Sequence, residues 1–74
     1  MNTGNQHYKA RIDYADTDGK LVRIWNPGRF ARLPRIYEYI EANKLRIERK
    51  GGRMIAYEIW DTYTRKCIEA KTYS

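Results

Sequence analysis

The sequence predicts an α+β fold of two layers, in which one helix covers one face of an antiparallel sheet of about five strands. Apolar residues recur at spacings of three and four between residues 33 and 40, which is the period of an amphipathic helix. Apolar and polar residues alternate in residues 8–14, which is the period of a half-buried strand, and residues 54–60 are predicted to form a further strand. Turn-forming residues separate these segments and give the element order β-β-α-β-β-β.

Length and cysteine content limit the architecture further. We expect residues 1–6 to be disordered, because they are polar and aperiodic, and residues 7–74 to form a single domain with a modest core. Cys67 is the one cysteine, so no intrachain disulfide can form. With no signal peptide and no apolar run long enough to cross a membrane, we expect a reducing, cytoplasm-like compartment.

The first two strands are predicted to form a hairpin around residues 16–20, Asp-Thr-Asp-Gly-Lys. A two-residue loop would shift the pairing by one residue and bring apolar side chains onto the polar face. A three-residue loop with Gly19 in the left-handed conformation keeps apolar residues together, so we expect that loop. The predicted pairs are Tyr14 with Val22 and Ile12 with Ile24.

The helix is predicted to begin near Leu33 and to end at Asn43. Its apolar stripe consists of Leu33, Ile36, Tyr37 and Ile40. Pro34 fits the first turn, where its missing N–H is not needed. Asparagine tolerates the left-handed conformation that ends many helices, so Asn43 is the predicted stop.

Three further strands are predicted after the helix, at residues 45–47, 54–60 and 67–73. Residues 50–52 would form a three-residue loop between the first two of them, and residues 61–66 would turn the chain again. The predicted pairs are Ile47–Ile55, Leu45–Tyr57, Ile59–Ile68 and Tyr57–Ala70. The predicted core is Tyr8, Ile12, Tyr14, Val22, Ile24, Phe30, Leu33, Ile36, Tyr37, Ile40, Leu45, Ile47, Ile55, Tyr57, Ile59 and Ile68.

Charge is unevenly distributed along the chain. The formal net charge is +6, and the excess lies in residues 20–53, which carry ten Lys and Arg against three Glu. A concentrated positive field attracts polyanions or an acidic protein surface. The expected partner is therefore nucleic acid or an acidic surface of a protein complex, with homo-oligomers allowed and no membrane.

A candidate binding surface follows from the outward-facing residues of the first hairpin. Trp25 is expected on the face opposite Ile24, among basic side chains, and more arginines follow at the start of the helix. Aromatic rings interleaved with basic groups are typical of single-stranded nucleic-acid binding, because rings stack on bases and cations contact phosphates. The candidate binding residues are Lys9, Arg11, Arg23, Trp25, Arg29, Arg32 and Arg35.

No catalytic or metal signature emerges from the sequence. Asp16-x-Asp18-Gly19 resembles part of a calcium loop, but Tyr14 and Trp25 occupy positions where that loop needs oxygen ligands. His7 and Cys67 supply too few ligands for zinc, and no third group would orient them as a catalytic pair. Glu58 and Glu69 are expected to face each other in an ordinary charge ladder, and Cys67 to neighbour Trp60. No cofactor, metal or enzymatic activity is predicted, although a metal-free ribonuclease remains open.

Two functions from different classes remain. The first is a small non-enzymatic module that binds single-stranded RNA or DNA through the basic, aromatic surface. The second is a small inhibitor or accessory protein that docks on a host nucleic-acid-processing complex, acting in the cytoplasm of the host. In size and tyrosine content the chain resembles in type the compact inhibitors that phages encode, anti-CRISPR proteins included. Tyr, Trp and Arg dominate protein interfaces too, so composition does not separate the two.

Overall fold

The computed structural model describes residues 8–26 and 32–73, which form one helix on a four-stranded antiparallel sheet. The elements are β1 (Tyr8–Ala15), β2 (Leu21–Trp25), α1 (Leu33–Arg49), β3 (Arg53–Asp61) and β4 (Lys66–Thr72). The strand order in the sheet is β2-β1-β3-β4. The α+β class and the two layers are confirmed. The five strands and the order β-β-α-β-β-β are wrong, because these residues run β-β-α-β-β.

The helix packs on the two central strands, β1 and β3, and the core lies between the helix and these strands. We call the helix-facing side of the sheet the inner face and the opposite side the outer face. The buried core residues are Ala10, Ile12, Ile36, Ile40, Ile47, Met54, Tyr57 and Ile59. In the described ranges, no helix has both the length and the apolar character needed to cross a membrane.

The first hairpin has the predicted register. Tyr14 pairs with Val22 and Ile12 with Ile24. Gly19 has a φ of 82°, so the three-residue loop with a left-handed glycine is confirmed. The Asp16 carboxylate accepts backbone N–H groups from Asp18 and Lys20, each at 2.9 Å, and these bonds fix the turn.

The helix begins at Leu33 with Pro34 in its first turn, as predicted, but the predicted stop at Asn43 is wrong. Ile47 lies eleven residues after Ile36, which is three helical turns, so it continues the buried stripe. The Asn43 side chain donates from Nδ2 to the Tyr39 carbonyl of the preceding turn at 2.8 Å. This bond satisfies asparagine inside the helix, so it does not end the helix there.

The glycine pair at residues 51–52 ends the helix and does not form a hairpin loop. Gly51 has a φ of 87° and donates to the Glu48 carbonyl at 3.0 Å, and Gly52 donates to the Ile47 carbonyl at 2.9 Å. These two bonds form a Schellman motif. The predicted strand at residues 45–47 is therefore wrong, and so are its Ile47–Ile55 and Leu45–Tyr57 pairs.

The register of the last hairpin also differs from the prediction. Trp60 pairs with Cys67, as predicted, but a bulge follows and pairs Ile59 with Glu69. The extra residue, Ile68, is 46% exposed. A bulge moves every following side chain to the other face of the strand. The predicted Ile59–Ile68 and Tyr57–Ala70 pairs are therefore wrong, as is the facing of Glu58 and Glu69: Tyr57 pairs with Lys71 and Glu58 with Ala70.

The predicted core is confirmed at its centre and wrong at its periphery. The confirmed buried residues are Ile12, Ile36, Ile40, Ile47, Tyr57 and Ile59. Those packed partly buried against them are Tyr8, Tyr14, Ile24 and Leu33, and Val22 and Ile55 are half-buried. Tyr37, Leu45 and Ile68 are exposed. Phe30 lies outside the described residues, as do residues 1–6.

The bulge places Glu69 on the inner face, where it links β4 to the helix. The hydroxyl groups of Tyr37 on α1 and Tyr57 on β3 both donate to the Glu69 carboxylate, the latter at 2.6 Å. These hydrogen bonds lower the pKa of Glu69, and the bond from Tyr37 has a larger effect than the bond from Tyr57. The pKa of Tyr57 is raised mainly by burial, and the hydrogen bond to Glu69 raises it further.

We expect Glu69→Gln to destabilise the fold by about 1–2 kcal/mol near pH ~7, because hydrogen bonds to a partly exposed carboxylate are of that order. The folded-state pKa of Glu69 is lowered, so its contribution is present above the unfolded pKa of about 4.3 and is lost as pH falls through the folded value. Urea denaturation of the parent and the variant should show the difference shrinking on acidification. Glu41→Gln, on the exposed helix surface, is the control, and an equal loss there would contradict the assignment.

Candidate functional site

The outer face of the sheet is not covered by the helix. Side chains from all four strands form rows across it, set by the register of the ladders. One row contains Trp25, Arg11, Glu58 and Ala70. The next contains Lys9, Trp60 and Cys67, and a third contains Arg23, Asp13, Ala56 and Thr72. Both tryptophans of the chain therefore lie on this face.

Ion pairs join three strands of the outer face. Arg23 Nε lies 2.9 Å from Asp13 Oδ1, and the Arg11 guanidinium contacts Asp13 at 3.2 Å and Glu58 at 3.0 Å. Arg11 is the central member, and its side chain is only 17% exposed. Two carboxylates therefore compensate two guanidinium groups, and the network adds no net charge to the face.

The same network orients one of the indole rings. Trp60 Nε1 donates to Glu58 Oε1 at 2.9 Å, while Glu58 is held by Arg11. An indole whose N–H is bonded to a fixed carboxylate has a restricted ring orientation. The half-buried Trp60 ring is thus held in place before any ligand arrives.

An open cleft lies between the two tryptophans, with a volume of about 510 Å³. It is lined by Lys9, Trp25, Trp60, Asp61, Thr62 and Arg65. Trp25 is 45% exposed, and Lys9 Nζ lies 5.6 Å from the centre of its ring. Within the part of the chain that the structure describes, neither Lys9 nor Arg65 forms a salt bridge. The cleft therefore combines two flat aromatic surfaces with two basic side chains that form no salt bridge, which we call uncompensated cations.

One polar wall of the cleft is formed by the turn between β3 and β4. Asp61 Oδ1 accepts the backbone N–H groups of Tyr63 and Thr64, at 2.9 and 3.2 Å. These two hydrogen bonds fix the position of the Asp61 carboxylate in the turn.

The structure divides the seven predicted binding residues. Lys9, Arg11, Arg23 and Trp25 share the outer face, as the alternation predicted. Arg32 and Arg35 lie on the helix layer, and Arg35 Nη1 contacts Glu38 at 3.3 Å. Arg29 lies outside the described residues. The described candidates therefore do not form one continuous surface, and only two of them, Lys9 and Trp25, line the cleft.

Sequence reasoning missed Trp60 and Arg65 as site residues. Successive side chains of a strand point to opposite faces, so the predicted strand at residues 54–60 does place Trp60 opposite the buried Ile59 and contained the signal for the second indole. Arg65 had no such signal, because a four-residue turn has no period. Only the paired ends of β3 and β4 bring this arginine next to the tryptophans.

A second basic area lies on the exposed side of the helix towards its C-terminus. Leu45 is 53% exposed there, and a shallow depression around it is lined by Ala42, Leu45, Arg46, Arg49 and Lys50. Arg49 and Lys50 form no salt bridge with any described residue. This surface is separated from the cleft by the thickness of both layers.

One cluster of titratable groups outside the cleft is formed by Glu69, Tyr37 and Tyr57. In residues 8–26 and 32–73, no three His, Cys, Asp or Glu side chains are grouped closely enough to hold a metal. The pKa of Glu69 is lowered and those of Tyr37 and Tyr57 are raised, which makes the carboxylate a weaker base and the phenols weaker acids. The cluster is therefore suited to holding β4 on the helix.

Comparison with known proteins yields no relative from which a function could be transferred. No protein-family model, curated protein or solved structure matches the chain.

Proposed function

We propose that this protein is a small non-enzymatic module that binds single-stranded nucleic acid on the outer face of its sheet. The observation that carries the proposal is the cleft, in which two indole rings and two uncompensated cations are accessible together. Exposed rings on an open antiparallel sheet stack on unpaired bases, and nearby cations contact the phosphates between them. Duplexes are disfavoured, because their bases are already stacked on one another.

Charge distribution supports the same ligand. Asp13 and Glu58 compensate Arg11 and Arg23, so these arginines stiffen the platform and the binding charge comes from Lys9 and Arg65. Few phosphate contacts imply a modest salt slope, with stacking supplying much of the affinity.

Replacing either tryptophan with alanine should weaken binding about 5- to 150-fold, since base–aromatic stacking contributes roughly 1–3 kcal/mol per base. Trp25→Ala and Trp60→Ala can be titrated against fluorescein-labelled oligo(U) and oligo(dT) at two salt concentrations, with circular dichroism to verify folding. Leu45→Ala is the control, because it removes an exposed apolar side chain from the opposite layer. The proposal fails if the folded parent binds neither oligonucleotide at low salt, or if both tryptophan variants bind as tightly as Leu45→Ala.

Intrinsic fluorescence gives a second readout that needs no label. Trp25 and Trp60 are the chain's only indoles, so bases that stack in the cleft should quench the emission of the whole protein. Trp25→Phe and Trp60→Phe each leave one emitter and assign the quenching to one ring. Quenching of neither single-tryptophan variant, at concentrations that saturate the anisotropy signal, would place the ligand elsewhere.

Docking on an acidic protein surface is a second candidate, favoured by the exposed Leu45 between uncompensated basic residues. An apolar anchor with a charged rim is common at protein interfaces. Under this alternative, a phage-type inhibitor would use the helix layer to engage a host complex. Leu45→Ala with Arg49→Ala would then abolish association with that complex, and the tryptophan variants would not. Weak dependence on salt would further separate it from phosphate binding.

A further inference from the structure

We propose that Arg65 is the phosphate-binding residue of the cleft and that it is retained there against the preference of its own backbone. This inference rests on the proposed nucleic-acid function and names the group that contacts the phosphate. It is based on the conformation of Arg65, on its place in the cleft and on its lack of an ionic partner.

The turn between β3 and β4 holds Arg65 in a conformation that disfavours a side chain. The Arg65 N–H donates to the Asp61 carbonyl at 2.7 Å, and φ at Arg65 is 60°. Among the described residues, no other non-glycine residue has a positive φ. An L-residue with a Cβ is strained in the left-handed region, whereas glycine adopts it freely. The local geometry of this turn therefore favours glycine at position 65.

The Arg65 side chain does not compensate for that strain within the protein. It forms no salt bridge with a described residue, in contrast to Arg11 and Arg23 on the same face. It does line the cleft beside both tryptophans and Lys9. Strained residues that persist at a ligand site are often held there for the ligand, and this guanidinium is free to take one.

A guanidinium group fits the phosphate of a nucleotide whose base occupies the cleft. Its planar fork donates two parallel hydrogen bonds to phosphate oxygens, which a lysine ammonium cannot do. Lys9 already lies over the Trp25 ring, so it is better placed to accompany the stacked base. Arg65, at the rim formed by the turn, is then positioned for the backbone of the strand.

Three variants separate strain from binding, each measured by thermal unfolding and by oligo(U) titration over a range of salt. Arg65→Gly should raise the Tm by about 4–8 °C by removing strain. It should also weaken binding about tenfold and reduce the salt slope by about 0.7, the loss of one phosphate contact. Arg65→Lys keeps the charge and the strain, so Tm and salt slope should match the parent while affinity is intermediate. Arg53→Ala, an equal change of charge at an exposed position at the start of β3, should leave affinity and slope near the parent values.

The results for the Arg65→Gly variant and for the control either support the inference or overturn it. A stabilised Arg65→Gly variant with weakened binding supports the inference, and one that binds like the parent overturns it while the proposed function stands. An unchanged or lower Tm for Arg65→Gly would show that the backbone of Arg65 is not strained in the parent, and would overturn that part of the inference. Equal weakening by Arg53→Ala would show that overall charge is responsible and would overturn the specific contact. If the parent binds no single strand, the inference falls together with the proposed function.

Discussion

Ile59→Ala and Ile40→Ala should each destabilise the protein by about 2–5 kcal/mol, as large-to-small changes in a packed core do. Ile59 is fully buried at the centre of the sheet, and Ile40 is 2% exposed on the helix that covers it. A domain of this length has roughly 4–11 kcal/mol of stability in total, so either change could remove half of it. Urea denaturation followed by circular dichroism measures the loss.

Ile68→Ala provides a matched control for the core substitutions, because it deletes the same atoms from an exposed position on β4. We expect a change within about 0.5 kcal/mol, the usual range for surface sites. This variant also distinguishes the observed register from the one that pairs Ile59 with Ile68. A loss at Ile68 as large as that at Ile59 would show that the bulge is wrongly placed.

Gly52→Ala should destabilise the protein by about 3 kcal/mol, at the upper end of the usual overpacking cost. A Cβ at position 52 would lie 2.5 Å from the Ala15 carbonyl oxygen and 3.0 Å from Ile47 Cγ2. The oxygen belongs to the backbone of β1, so relief would require the helix end and the strand to separate. Thermal unfolding measures the effect.

Gly19→Ala is the comparison for Gly52→Ala. Gly19 has a positive φ, but a Cβ there would have no neighbour within 4 Å. The loss of stability should then come from backbone strain alone and be about 1 kcal/mol. A loss at Gly52 no larger than that at Gly19 would show that the close approach to Ala15 does not determine the cost of the Gly52 substitution.

Local chemistry sufficed to predict the first hairpin and the start of the helix. Gly19 tolerates a positive φ, and burial of one face of β1 permits a single register, so turn and pattern agree. Pro34 is tolerated only near a helix start, which fixed that boundary to within a residue.

The end of the helix could not be predicted from the same rules. Leu45-Arg46-Ile47 alternates like a strand, yet Ile47 also falls three turns after Ile36 on the helical stripe. Three residues are too few to distinguish the two periods. The glycine pair at 51–52 was equally ambiguous, since left-handed glycines both close hairpins and end helices.

Tertiary structure determined the remaining differences. The bulge in β4 leaves Ile68 exposed and turns Glu69 to the inner face, where two tyrosine hydroxyls meet it. Local alternation contains no information about those distant donors. The cleft likewise depends on strand order, because Trp25 and Trp60 lie on strands separated in the sheet by β1. The two-residue period of the strands placed each ring on the outer face, but it could not predict that both rings line the same cleft.

The central pairing of β1 with β3 has a consequence for how the chain folds. Each hairpin joins neighbouring segments, whereas the middle ladder joins strands separated along the chain by β2 and the whole helix. Closing so long a loop carries an entropic cost before its contacts form, which makes non-local ladders slow. During synthesis the β1–β2 hairpin can form early, but one edge of β1, including Ala10 and Ile12, stays unpaired until β3 has emerged after the helix and docked beside it.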